Sequence, residues 1–479
     1  MAGIRHAPCV LIMSALSGFF DASAQATTIH VPADAPTIQA GVNLAAPGDT
    51  VEVACGTYTA GAVLNGGIVV RSETGLPGCV TIDVVAGTEA FRATNLSQGV
   101  VIFGFRMTAP PGDARGMVVS GSNVTVRDCE FAGFSSESLF GMGLSMDDAS
   151  NLTLDRSLFE DNSGLLGGGI YSTSSALTMT DCVMRRNRAF EGGALALEFS
   201  EATILNCDFI ENEAISPKEE STPAGGAISN RDATAALTIS DCMFENNSAE
   251  YGGCISSSDA SGREPTGITH SVFRGNDASN EGSVISDVYD NFSFGGLYSM
   301  DDCVFMENQM FVIAAQVQIR SSLFVHNLGE CVRAQGSSTI ENCTFAQTAA
   351  SNGGVIHEAS ESLAIRNSIV AFSEGGIIPV TCTTKSVTVE CCDFYGNGGG
   401  DWIDPKGSFC IASQENANGN LSADPLFCDT KLGDFTIQEN SPCAPAYSGA
   451  CGLIGALGVG CKPIHVEETT WGAIKALYR

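Results

Sequence analysis

Through the middle of the chain one short pattern of apolar and polar positions keeps returning: apolar, any residue, Asp or Asn, Cys or Ser, any residue, Phe, two more residues, Asn. The clearest copies are Ile204-Leu205-Asn206-Cys207-Asp208-Phe209-Ile210-Glu211-Asn212 and Ile239-Ser240-Asp241-Cys242-Met243-Phe244-Glu245-Asn246-Asn247. Less perfect copies centre on Cys129, Ser157, Cys182, Ser271, Cys303, Ser322, Cys343, Ser368 and Cys392. They recur every 19 to 35 residues or so, about 26 on average, which is the range of stacked supersecondary units. One copy therefore marks one turn of a solenoid.

The copies are short, rich in Val, Ile, Thr and Phe, and separated by Gly, Asn, Asp and Ser, so the solenoid is built of strands. Ile204 lies three positions before Cys207, while Cys207 and Phe209 are two apart. Side chains alternate along a strand, so all three can face inward only if the chain bends between them. Asp128, Asp181, Asn206, Asp241, Asp302, Asn342 and Asn367 occupy that bend, and these residue types tolerate a left-handed backbone. A third strand per turn is predicted after Gly168-Gly169, Gly192-Gly193, Gly225-Gly226, Gly252-Gly253 and Gly353-Gly354. The fold class expected is all-β: a right-handed parallel β-helix with three short parallel sheets. Cys, Phe and Ile ladders would fill its interior.

Phe-x-x-Asn followed by Gly-Gly-Ala-Ile resembles the repeats of the polymorphic outer-membrane protein family, within the pectin-lyase-like β-helix class, over Val124 to Asn397. The resemblance implies the fold more than an activity. No alternating barrel region follows the repeats, so the membrane-barrel display of some members of that family is not expected.

Solenoid ends expose strand edges and call for caps. Thr37 to Ala46 carries helical spacing and leads into Thr50-Val51-Glu52-Val53, which predicts a short capping helix. Cys55 and Cys79 flank the first coils and are expected to pair. Beyond Asn397 loops carry Cys410, Cys428, Cys443, Cys451 and Cys461, read as a disulfide-tied cap. The pairing expected there is Cys391 or Cys392 with Cys410, Cys428 with Cys443, and Cys451 with Cys461. The ladder cysteines lack CxxC spacing and alternate with Ser, so they read as buried thiols. The domain layout expected is 1–26 signal peptide, 27–397 β-helix with its N-terminal cap, 398–461 Cys-rich cap, and 462–479 linker and tail.

Charge narrows the partners. Lys and Arg total 23 against 54 Asp and Glu, a formal −31, which disfavours nucleic acid. Arg5 and His6, the apolar run Val10 to Phe20, and Ala22-Ser23-Ala24 or Ala24-Gln25-Ala26 read as a secretory signal. No later stretch is apolar for long enough to span a bilayer as a helix. The expected location is secreted or at the cell surface, where disulfides are permitted.

Catalytic motifs are missing. No histidine is flanked by Gly on both sides, as polygalacturonase-like enzymes require, and Arg263-Glu264-Pro265 is followed by Ile268 where a pectate-lyase-like site needs a second arginine. Zinc spacing is absent and no cofactor or metal site is assigned. Oxygen-rich pairs such as Asp147-Asp148, Asp301-Asp302 and Asp287 with Asp290 would suit calcium. Where the repeat lengthens, between Cys207 and Cys303, long loops are expected to gather on one face around residues 213–298. They carry Glu219, Glu220, Arg231, Tyr251, Arg263, Glu264, Asp287, Tyr289 and Asp290, a mixture of aromatics and charges suited to sugar or protein contacts. The first functional expectation is a non-enzymatic module that binds an extracellular glycan or surface protein. A polysaccharide lyase or glycoside hydrolase, and a purely structural surface protein, are the alternatives.

Overall fold

A computed structural model describes residues 26–216, 222–231, 236–258, 265–287, 297–350, 353–384, 386–403 and 410–461. Residues 1–25 of the expected signal peptide and the tail 462–479 lie outside the described residues. The chain forms a right-handed parallel β-helix of about 14 turns. Its turns stack strand on strand into three long parallel sheets, one of them with 14 strands.

One coil shows the construction. Leu195–Glu198 lies in the third sheet, Glu201–Leu205 in the first and Asp208–Ile210 in the second. The next coil repeats this in register, with Ile204 paired to Ile239 and Phe209 to Phe244. The bend between first and second sheets is made by Asn206 at φ 53° and Asp241 at φ 58°, and Asp128, Asp181, Asp302, Asn342 and Asn367 adopt the same left-handed conformation in their coils. The strained corner that the phase of Ile204, Cys207 and Phe209 demands is therefore the corner that forms.

Each position of the repeat has a physical duty. The Phe side chains point inward and stack, Phe209, Phe244, Phe273, Phe305, Phe324 and Phe345 with ring centroids 4.4 to 5.0 Å apart. The Cys or Ser must be small and must both accept and donate. Cys343 N–H donates to Ser368 Oγ at 3.1 Å, while the Cys343 thiol donates back to Glu341 O at 3.3 Å. Burial pushes the Cys343 thiol up to about 12, so it stays protonated and inert. In the Gly-Gly segments, a Cβ on Gly193 or Gly226 would sit 2.2 to 2.3 Å from a backbone oxygen of the next coil. Only glycine lets the coils close up there.

Two departures from a plain three-sided coil bear on function. A fourth, short parallel ladder joins Arg188–Ala189, Glu213–Ala214, Ser248–Tyr251 and Asp277–Glu281. Further on, the single strand Ile313–Arg320 pairs with both the third and the first sheet, so the corner between them disappears in that coil. That loss accounts for the shortest repeat interval, between Cys303 and Ser322.

At the N-terminal end the helix Ile38–Leu44 covers the first coil. Thr37 Oγ1 accepts from Ala40 N–H, and Ile38 and Val42 are buried. Cys55 is bonded to Cys79.

The C-terminal segment is tied by disulfides, as expected of a cap, and also extends beyond the open end. Trp402 stacks on Phe394 at 4.5 Å, and Asn420 accepts from Cys392 N–H, so the open end is closed by about residue 421. The antiparallel pair Phe427–Asp429 and Asp434–Ile437 and the segment after it then run back along the outside of the second sheet. There Phe427, Phe435, Ile437 and Ile454 bury the outward residues Val304, Leu323, Val325, Ala346 and Ile369.

The disulfides follow this path and correct the expected pairing. The bonds are Cys382 with Cys410, Cys391 with Cys451, and Cys428 with Cys461. Cys392 is a free thiol on the inward ladder, whereas Cys391 sits on the left-handed corner, where it meets the returning chain at Cys451. Cys443 is also free and buried, 3.1 Å from Asp393 Oδ2.

Candidate functional site

The third sheet places one outward column in register: Tyr171, Ala196, Ser229, Ser256, Ser286, Ala314, Arg333 and His357. A second outward column places Glu198 beside Arg231 on the next coil. The chain enters this sheet through the corner before Gly-Gly, where Leu166, Glu191, Ala224 and Tyr251 stand on one another. Corner residues and outward columns thus face each other along the solenoid.

Around Arg231 they converge. Its Nη1 lies 3.2 Å from Glu191 Oε2 and 3.6 Å from Glu198 Oε1. The Ser229 hydroxyl donates to the same Glu191 oxygen at 3.5 Å, and the Tyr171 hydroxyl donates to Glu198. Glu191 is almost fully buried, so its charge is tolerated because Arg231 is beside it. Burial, then the Glu198 carboxylate, pushes the Tyr171 phenol up to about 12. The Tyr171 ring lies 5.1 Å from the ring of Phe140, which is 37% exposed.

Beside this network a cavity of about 970 Å³ is lined by Ser136, Phe140, Leu165, Phe190, Ile215 and Arg231, with Glu137 on its wall. Among its described lining residues Arg231 is the only cation. A cavity with aromatic walls and a fixed set of donors and acceptors at one side suits a ligand with both apolar and hydroxyl faces.

Four coils further along the same face, about 19 Å at ~4.8 Å per coil, Arg333 repeats the arrangement. Its Nη1 lies 2.6 Å from Glu281 Oε1 and its Nε 3.1 Å from Glu330 Oε2, with the guanidinium 3.8 Å above the Phe311 ring. His357 Nδ1 and Thr381 Oγ1 are 2.7 Å apart on the next coils.

Of the residues named from the sequence, Arg231 stands at this centre. Tyr251 shares the corner column of Glu191, its hydroxyl accepting from Asn280; burial and then Glu250 and Glu281 raise its pKa. Asp287 is not on the face. It is 3% exposed and follows Ile285 by two positions, so the period of two turns it into the solenoid. Glu219, Glu220, Arg263, Glu264, Tyr289 and Asp290 lie outside the described residues.

Glu191, Glu198, Tyr171, Phe140 and Phe190 were not singled out. A signal for Glu191 existed: aligning the coils on Gly-Gly sets it against Leu166, Ala224 and Tyr251, a position whose side chain reaches over the third sheet. Ile268, where the second arginine of a lyase pattern would fall, is a core residue of the first sheet. The one group of three potential metal ligands among the described residues, Cys55, Glu73 and Cys79, has both sulfurs in a disulfide and does not fit a metal.

The fold and this face define a β-helix with a lateral cavity, and the comparisons with known proteins speak to the solenoid. The family model described as right handed beta helix region matches residues 116–296. No curated protein matches the chain. Among solved structures, an alginate lyase of the PL6 family, AlyGC, is 13% identical with a TM-score of 0.45, over 88% of this chain and 57% of its own. Tailspike protein 3 of bacteriophage CBA120 is 13% identical with a TM-score of 0.39, over 83% and 59%. Pectate lyase Pel9A is 13% identical with a TM-score of 0.31, over 91% and 97%. The chain thus spans less than two thirds of the first two. The likeness is one of fold.

Proposed function

We propose that this chain is an extracellular β-helix that binds a glycan on the outer face of its third sheet, at the cavity beside Arg231. The observation that carries the reading is that Arg231, held by Glu191 and Glu198, lines the same cavity as Phe140 and Phe190. Aromatic rings take the apolar face of a sugar, and a fixed hydrogen-bonding set takes its hydroxyls. Four disulfides support an oxidising, extracellular setting. Kinship with the polymorphic outer-membrane repeat proteins belongs to the same proposal, on the Phe-x-x-Asn and Gly-Gly pattern. The binding face moves from residues 213–298 alone to include the corner residues 136–191.

A hydrolytic reading has one observation in its favour. Glu191 and Glu198 both approach one nitrogen of Arg231, so those oxygens lie no more than about 7 Å apart, below the roughly 9.5 Å upper limit for glycosidase carboxylates. Against it, neither Glu191 nor Glu198 is among the residues that line the cavity.

The test is a glycan array on the full chain, then affinities for the best ligand with Phe140→Ala and Phe190→Ala. Each variant is expected to bind about tenfold more weakly, since an aromatic contact contributes ~1 kcal/mol or more. Undiminished binding in both overturns the site. Release of new reducing ends from the bound glycan would replace the binding reading with the hydrolytic one.

A further inference from the structure

We infer that the glycan taken by this face carries free amino groups, an inference that rests on the glycan-binding reading above. It follows from how the cations of the face are already used. Arg231 is clamped between Glu191 and Glu198, and Arg333 between Glu281 and Glu330. Among the described residues each guanidinium meets two carboxylates, and acid exceeds base at both places. Glu137 adds a further carboxylate to the cavity wall, and Ser136 beside it donates to Asp113 at 2.7 Å.

A uronate or sulfated sugar would set a further anion beside Glu191 and Glu198 at Arg231, and beside Glu281 and Glu330 at Arg333. An ammonium group is attracted by the same carboxylates. Its three N–H donors can be met in the cavity by Glu137 on the wall. At longer range the excess of acid over base, −31 for the chain, draws a polycation in and repels a polyanion. Ligand class is set here by the carboxylates that surround each arginine, and not by the arginines themselves.

Calorimetry on the full chain would compare three oligosaccharides of equal length: oligoglucosamine, its fully N-acetylated form, and oligogalacturonate. The amine form is expected to bind at least about tenfold more tightly than the acetylated one, an advantage that falls away between about 50 and 500 mM salt, while oligogalacturonate does not bind. Glu137→Gln, on the exposed wall, and Glu198→Gln are each expected to narrow the gap between the first two ligands. Equal binding of amine and acetylated forms, with both lost in Phe140→Ala, overturns the charge inference and leaves the glycan site standing. Preferred binding of oligogalacturonate overturns it as well. If none of the three binds and Phe140→Ala changes nothing on the array, the site itself fails and the inference with it.

Discussion

The side-chain amide of Asn212 donates to Oδ1 of Asn247, 3.0 Å away on the next coil, and the same oxygen accepts the backbone N–H of Asn212 at 3.0 Å. Asn247 in turn donates to Phe209 O at 2.9 Å. The arrangement repeats without a break through Asn162, Asn187, Asn212, Asn247, Asn276, Asn308 and Asn327. Only an amide both accepts twice from the coil before it and donates to that coil's Phe carbonyl and to the next Asn, which is why the repeat reads Phe-x-x-Asn.

Asn247→Ala leaves the backbone N–H and the side-chain amide of Asn212 without their acceptor in a dry interior. A loss of about 2 to 4 kcal/mol is expected in urea unfolding. Asn247→Asp is expected to be no better, because a carboxylate cannot donate. Asn151→Ala, on an exposed rung, should stay within about 0.5 kcal/mol of the parent.

The ladder thiols should be silent. Cys129, Cys303, Cys343 and Cys392 are buried, and burial pushes each up to about 12. Native protein at pH 8 should resist alkylation that proceeds readily after denaturation, as mass spectrometry would report. Modification of Cys343 in the folded chain would contradict its place in the ladder. Cys343→Ser should cost about 1 kcal/mol or less, because Ser occupies the same rung at Ser322 and Ser368 and makes the same two hydrogen bonds.

The returning C-terminal segment carries a pH dependence. Asp393 is fully buried between the last coil and that segment, and burial raises its pKa to about 6 despite the N–H of Ala423 and the Cys443 thiol that face it. A carboxyl whose folded pKa lies above its unfolded value binds its proton more tightly in the folded state. The stability it supplies is present in full below pH 4 and lost as pH rises towards 6. The contribution is up to ~3 kcal/mol. Unfolding followed across this window should show the fall on top of the titration of the other carboxylates, and Asp393→Asn should remove it. An unchanged slope in Asp393→Asn would show that Asp393 ionises freely.

The bond between Cys391 and Cys451 closes 60 residues and holds this segment on the second sheet. Replacing both with Ser should cost about 4 kcal/mol on loop-entropy grounds. It should also raise hydrogen exchange around Phe427, Phe435 and Ile454 while leaving the Asn ladder protected, as exchange mass spectrometry can resolve.

The period of two along Ile204, Cys207 and Phe209, and its failure at Asn206, were enough to derive strand, corner and inward ladder from the residues alone. Local alternation and local backbone tolerance decide those features. The spacing of Gly-Gly gave the third strand for the same reason. The route of the C-terminal segment was not legible, although Leu323-Phe324-Val325 is apolar on both faces and so called for a cover; which segment supplies it depends on contacts about a hundred residues apart. The pairing of Cys391 with Cys451 followed that route. The candidate site was equally distant from any motif. Tyr171, Glu191, Glu198 and Arg231 come from three coils, and only stacking brings them to one guanidinium. Sequence by itself determined how each coil is built, because that is set by neighbours along the chain. Tertiary structure decided what lies outside the coils, because that is set by neighbours across them.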